Sequence, residues 1–578
     1  MIFKFIDTVI QNLILNLEVL TKDSNLYSTL LYQHRGTFAS STTTFGNEND
    51  CTNQFNSFLT LAKSENVSLA LTPEYSCPWN SIDWLLSDVT RWPNEGKLWV
   101  ICCESITPSE VNALEVKFND NNIEIFVDKT PFTNGNGVLL DPLCYIFRCQ
   151  VNGVNKLLVL MQFKTQHMGV WTSPEEQQKY IWGNDIYVLR NSENSIYLFT
   201  NICSEAIEFK INDAFQSQVQ NRWDHNPYII LNPQMNPQPS HDAFKNFRKS
   251  ILDYDLKDII SLNWGAGTMF PGMADALIPY SKSSVIIKSD QVEFTKEDRF
   301  VNNHKKGLYY LLRKPNIQVN YLHPKTDVFL IRHQKPSAAG VNNALVRRSG
   351  PEVSKVFEWD TTTSSFNEIE VVEDNFVAFL NSLHCTNAVC HNLGISFIEK
   401  ERLINLSSGQ VKAKKEDRRW HNIDKLESFL QEADEVVKRF TYVHDDTGHA
   451  HREGYVEVLD ILNLQILPNG AWFPTNLTSF IGNFTEVMFI NNDGENYKYN
   501  LSTIDGTRKA TVAYIGRKDE AQAKRTLVQL QRIFDNSDQA KKMVVVWYKV
   551  NANTFAPVCD LVPPKVTDDT SVDPNSIF

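Results

Sequence analysis

Glu74, Lys164 and Cys203 share one local grammar, since each stands just past a run of apolar residues. The runs are VSLALT before Pro73-Glu74, LLVLMQF before Lys164, and IYLF before Thr200-Asn201-Ile202-Cys203. If these runs are neighbouring strands, the three side chains converge at the edge of a sheet. Their chemistry is complementary. A thiol of pKa ~8.5 needs a nearby base and cation to become a useful thiolate at neutral pH. A glutamate can take its proton, and a lysine can stabilise both the thiolate and a tetrahedral oxyanion. Taken singly, each residue has a plainer reading: Cys203 as a structural thiol, Glu74 as a solvated strand-end carboxylate, Lys164 as a surface lysine.

The elements that must position these residues read as a mixture of strands and helices. Buried strands are expected at 67–72, 97–103, 186–189, 196–199, 228–231, 259–262, 284–289, 307–312 and 327–332. Two apolar runs at 144–149 and 157–163 flank Asn152-Gly153, which predicts a hairpin. Residues 114–127 alternate like a strand pair. Helices are expected over 53–63, from Asn80 or Ser81 to Leu86, and over 241–253. Buried strands, helices and hairpins together predict a layered α/β domain over 27–335. Ile2, Ile6, Val9, Ile10, Leu13, Leu17 and Leu20 fall on one face at helical spacing, so 1–26 reads as an amphipathic helix. The Pro-, Ser-, Thr- and Gly-bearing stretch 336–366 reads as a linker. Beyond it, 367–560 reads as an α+β accessory domain. Its helices are expected near 374–383, 423–439 and 520–534, its strands at 486–490, 497–501, 508–515 and 543–550. Residues 561–578 read as a disordered tail.

Composition narrows the class. A chain of 578 residues with 42% hydrophobic and 21% charged residues is ordinary for a soluble globular protein of two or three domains. The net charge of −12 argues against a chain that coats nucleic acid or anionic membrane. Ten cysteines at this length are no disulfide framework, which points to reduced thiols and a cytoplasmic location. No apolar stretch approaches the ~18 residues of a membrane span. The N-terminal run is broken by Asp7, Gln11, Asn12, Asn16 and Glu18, unlike a signal peptide.

The order and context of the three residues resemble the nitrilase, or carbon–nitrogen hydrolase, superfamily. The matching pieces are PEY at Pro73–Tyr75, FK at Phe163–Lys164 and CSE at Cys203–Glu205. FRKSIL, the run reaching Asn263 before a Gly loop, and SSVIIKSD at Ser283–Asp290 add to the likeness, which spans roughly 30–335. The resemblance implies an α-β-β-α sandwich and a Glu-Lys-Cys triad in which Glu74 is the base, Lys164 the oxyanion partner and Cys203 the nucleophile. It implies a second glutamate after the lysine, for which Glu175 and Glu176 are both candidates. It places Ser204 and Asn263 at the oxyanion hole and pocket, and implies a homodimer or higher homo-oligomer. The implied reaction cleaves a non-peptide amide, nitrile or carbamoyl bond of a small molecule through a thioester, with no metal or organic cofactor.

Two rival readings remain beside this one. The fold can persist as a catalytically inactive binding or signalling module. Fusion to an unfamiliar second domain also fits a bacterial defence effector component, with a protein partner engaged through 367–560. His444, His449 and His451, or Cys385, Cys390 and His391, match no zinc spacing. The basic run Lys412, Lys414, Lys415, Arg418, Arg419 is interleaved with Glu416 and Asp417 and reads as a solvated helix face.

Overall fold

The computed structural model describes residues 1–167, 177–288, 299–336, 348–370, 403–409, 457–488 and 499–560, with isolated positions and short gaps inside these ranges excepted. The fold is mixed α/β and divides into two compact units. One is made chiefly of Met1–Tyr310 and Pro315–Val371, the other chiefly of Asp434–Phe578.

The first unit is built on two sheets. In the larger, the spatial order is Ser365–Glu368, Glu352–Asp360, Val328–Gln334, Leu26–Tyr32, Leu69–Leu71, Leu98–Cys102, Pro142–Val151, Val154–Phe163 and Ile123–Val127. The short strand Leu13–Ile14 also pairs with Pro142–Val151. Its central strands Leu26–Tyr32, Leu69–Leu71 and Leu98–Cys102 run parallel. Leu69–Leu71 and Leu98–Cys102 are buried along their whole length, which is why they read as unbroken apolar runs. The smaller sheet runs Tyr197–Thr200, Tyr228–Gln234, Lys257–Asn263, Ser284–Lys288, Ile317–Leu322 and Leu308–Lys314. Its first three strands are parallel. The Gln162 side chain stitches the two sheets together. Its amide donates to the Thr200 carbonyl at 2.9 Å while its oxygen accepts the Tyr187 N–H at 3.1 Å.

Three sequence expectations are corrected in this unit. Residues 1–26 do not form one helix. Ile2–Phe5 is a strand parallel to Asp185–Val188, Ile6–Val9 is a single helical turn, and Leu13–Ile14 is a strand. A partner strand outcompetes the helical spacing here. Phe3 and Phe5 alternate inward, Phe3 packs edge-on against Phe215 at 4.8 Å, and Asn12 at φ 55° interrupts any continuing helix. Residues 114–127 are not a strand pair. Thr107 and Glu110 form a capping box around Pro108, starting a helix Pro108–Phe118, and only Ile123–Val127 is a strand. Residues 336–366 are not a linker throughout, for Glu352–Asp360 and Ser365–Glu368 form a hairpin on the large sheet. The β-branched and aromatic residues of EVSKVFEWD bury Val353, Val356 and Phe357, and Phe366 meets Tyr32 edge-on at 5.2 Å. A boundary at 335 cuts through this sheet.

In the second unit, Leu501–Ser502, Lys509–Tyr514, Val544–Asn551 and Thr554–Val558 make a four-stranded sheet, with a helix Glu520–Gln531. Glu486–Met488 is not a strand. The expected helices near 374–383 and 423–439, His444, His449, His451, Cys385, Cys390, His391, the basic run from Lys412 to Arg419 and the tail 561–578 lie outside the described residues. Among the described residues, no helix is long and apolar enough to cross a membrane.

Candidate active site

Pro73, which cannot donate to a ladder, follows the buried strand Leu69–Leu71 and turns the chain. Tyr75 adopts φ 60°, and the Ser76 hydroxyl closes the turn on the Pro73 carbonyl at 2.6 Å. Glu74 is thereby presented inward and fully buried. One of its carboxylate oxygens, Oε1, lies 2.6 Å from Lys164 Nζ, and the other, Oε2, accepts the Met235 N–H at 2.8 Å. Its carbonyl accepts the Trp264 indole N–H at 2.6 Å.

Lys164 ends the long strand Val154–Phe163. Its N–H donates to the Asp141 carbonyl at 2.9 Å, and its carbonyl accepts from Gly183 N–H at 2.9 Å. Gly183 must be glycine because a Cβ there would collide with the Phe163 carbonyl. The ammonium sits 3.6 Å from Asp141 Oδ2 on its second side and 5.4 Å from the centre of the Tyr75 ring. A charge this deep is held because carboxylates flank it.

Cys203 follows the strand Tyr197–Thr200 on the smaller sheet and is also fully buried. Its φ of 41° is a left-handed conformation that side chains rarely adopt, so the thiol rides on a strained strand-to-helix turn. Its N–H donates to the Pro233 carbonyl at 2.9 Å. Pro233 and Met235 are two residues apart in the chain, and Met235 holds Glu74. The Cys203 backbone and the Glu74 carboxylate are therefore tethered to the same few residues. Glu205 makes a second tether, accepting the N–H of Thr165, next to Lys164, at 2.7 Å. All three residues singled out from the sequence are buried, and the backbone segment of Cys203 is tied to the segments that carry Glu74 and Lys164.

The other expected residues fare differently. Ser204 ties the turn down, since its carbonyl accepts from the Gln166 side chain and its hydroxyl reaches the Gln166 carbonyl at 3.4 Å. Asn263 spends its amide on backbone: Oδ1 accepts from Asn236 N–H at 2.9 Å and Nδ2 donates to Asn236 and Ser281 carbonyls at 2.8 and 3.0 Å. It braces the loop behind Met235 and does not offer that amide to a pocket. Glu175 and Glu176 lie outside the described residues. Asp141 and Glu205 were missed from the sequence as members of the charge cluster. Burial pushes the Glu205 carboxyl up to about 7, against two backbone N–H groups and the Lys164 charge, which pull it down. Tyr75, Met235 and Trp264, each bound to Glu74 by a peptide or hydrogen bond, extend into an apolar cluster with Phe38, Phe45 and Tyr180.

No family model and no curated protein match this sequence. Among solved structures, an amidase from Nesterenkonia sp. is 13% identical, with 53% of this chain and 93% of that chain covered and a TM-score of 0.26. A cysteine-to-serine mutant of the Nesterenkonia AN1 amidase, described as from the nitrilase superfamily, is 15% identical, with 46% and 84% covered and a TM-score of 0.25. XC1258 from Xanthomonas campestris, a CN-hydrolase superfamily protein with an arsenic adduct in its active site, is 12% identical, with 46% and 83% covered and a TM-score of 0.27.

Proposed function

We propose that the first unit is a nitrilase-type hydrolase of a non-peptide carbon–nitrogen bond, built as an α-β-β-α sandwich. The observation that carries this reading is the fully buried Lys164–Glu74 pair at 2.6 Å, tethered through Met235, Pro233 and Glu205 to the strained Cys203 turn. Burying an ammonium and a carboxylate is costly for a purely structural purpose, and a strained thiol beside them is the combination that acyl transfer uses.

In this reading Glu74 takes the proton from Cys203 Sγ, and the sulfur attacks the amide carbon. The oxyanion is stabilised by the Lys164 ammonium, because the Cys203 N–H is engaged by Pro233. Glu74 returns the proton to the nitrogen, which leaves as ammonia or an amine, and a thioester remains on Cys203. Glu74 then takes a proton from water, whose oxygen attacks the thioester, and the acid departs as the thiol is restored. No step calls for a metal or an organic cofactor. The second unit supplies none of these three residues, and we assign it to partner binding or regulation. A homodimeric, cytoplasmic enzyme acting on a small molecule is the setting we propose.

The test is release of ammonia or hydroxamate, with hydroxylamine as acyl acceptor, from a panel of small amides, nitriles and carbamoyl compounds. Cys203→Ala, Glu74→Gln and Lys164→Met should each lower the rate by about a hundredfold or more while circular dichroism stays native. A Cys203→Ala enzyme that keeps its rate rejects the nucleophile, and a wild-type chain inert on the whole panel favours the inactive binding module.

A further inference from the structure

Glu205 stands two residues after the thiol, and its side chain is wholly buried. Its Oε2 accepts the Ile202 N–H at 2.6 Å and its Oε1 accepts the Thr165 N–H at 2.7 Å. The Glu205 N–H in turn donates to the Ile202 carbonyl at 3.0 Å, so Ile202 and Glu205 close the turn reciprocally. That turn keeps Cys203 at φ 41°, a conformation that persists only when the surroundings over-determine it. Thr165 is covalently next to Lys164. One carboxylate therefore joins the two backbone segments that carry the ammonium and the thiol, which come from different sheets.

We propose that Glu205 is a positioning residue whose carboxylate, by accepting both N–H groups at once, fixes the Cys203 turn against the Lys164 segment. This rests on the triad reading above. Both contacts need both oxygens to be acceptors, as in an ionised carboxylate. Protonation removes the charge and weakens both oxygens as acceptors, and a glutamine places an NH₂ against one of the two N–H groups. The charged and titratable groups around Glu205 are Lys164, Cys102 and Tyr145, with Glu74 and Asp141 paired to the ammonium at 2.6 and 3.6 Å. Burial brings the Glu205 carboxyl to about 7, so both contacts weaken on acidification through neutral pH.

The experiment is alkylation of Cys203 by iodoacetamide in the full chain, followed by peptide mass spectrometry across neutral pH. The wild-type rate should rise through an inflection near pH 7. Glu205→Gln should alkylate about tenfold or more slowly at neutral pH, and without that inflection. A Glu205→Gln chain that keeps the wild-type rate and pH profile overturns the proposal. If the variant does not fold, amide hydrogen exchange of the wild type decides. Protection at Thr165 and Ile202 should fall together below about pH 7, and protection that stays constant or changes at one site alone overturns the proposal. Exchange does not depend on thiol chemistry. A wild-type Cys203 inert to iodoacetamide rejects the triad reading, while exchange still judges the clamp.

Discussion

Lys164 is a buried ammonium whose worth is set by what surrounds it, with Glu74 at 2.6 Å and Asp141 at 3.6 Å. Replacing it by methionine leaves two carboxylates buried beside an apolar side chain. Lys164→Met should therefore lower the unfolding free energy by about 3 kcal/mol or more, read from urea titration, besides any effect on reactivity. An unchanged midpoint contradicts the pair as drawn. At this scale the sequence marks residues unevenly. Glu74, Lys164 and Cys203 stand out in the sequence because each follows an apolar run at the point where the run ends, and all three prove buried. Asp141 is not, because Asp-Pro before a strand reads as a turn. Glu205 follows the thiol in plain view, but only its burial between two N–H groups from different segments shows what it holds. Asn263 was legible as a position and misread as a role, since side-chain amides that tie down backbone look the same in sequence as those that face a ligand.

At the scale of elements, strands buried on both faces and the Asn152-Gly153 hairpin were legible from their apolar runs and turn residues. The misread elements have competing signals. Residues 1–26 carry helical spacing, yet their partner is a strand nearly two hundred positions away, which no local pattern reports. The hairpin at 352–368 was hidden by the Pro-Ser-Ala-Ala-Gly stretch before it. Its neighbour Val328–Gln334 carries a testable histidine. His333 is buried, hydrogen-bonded to Thr29 Oγ1 at 2.7 Å and stacked on Tyr27, and burial, with Arg348 adding, pushes it down to about 3. The folded chain thus keeps this ring neutral, while the unfolded chain protonates it near its ordinary 6.5. The unfolded state binds the extra proton between these values, so stability falls as pH drops below that point, by about 1.4 kcal/mol per pH unit. His34, pushed down to about 4 by burial, acts in the same direction. Glu205 acts oppositely, taking its proton first in the folded state as pH falls through about 7. His333→Gln should flatten the acid limb of the stability–pH curve in urea titrations below about pH 6. Parallel curves for wild type and variant contradict this.

Across the whole molecule, eight cysteines lie among the described residues, and none of them is in a disulfide with another described cysteine. They offer a comparison that sets accessibility against activation. Cys51 and Cys559 are half-buried, and burial pushes their thiols up to about 12 and about 11. Cys77, Cys102, Cys103 and Cys144 lie in the interior of the large sheet's unit with raised thiols: burial leads at Cys77, Cys102 and Cys103, with Asp141 and Glu74 adding at Cys102, and the hydrogen bond with Cys103 leads at Cys144, with burial adding. Cys203 is as buried as these, but among the described cysteines it alone sits on a strained turn tethered to a lysine–glutamate pair. Simple accessibility ranks Cys51 and Cys559 first, whereas activation ranks Cys203 first. The direct measurement is a short pulse of iodoacetamide on the native chain at neutral pH, with each cysteine peptide quantified by mass spectrometry. The triad account predicts that Cys203 is modified first, and that Glu74→Gln removes this lead. Modification of Cys51 and Cys559 ahead of Cys203, with Cys203 reacting only after unfolding, would contradict it.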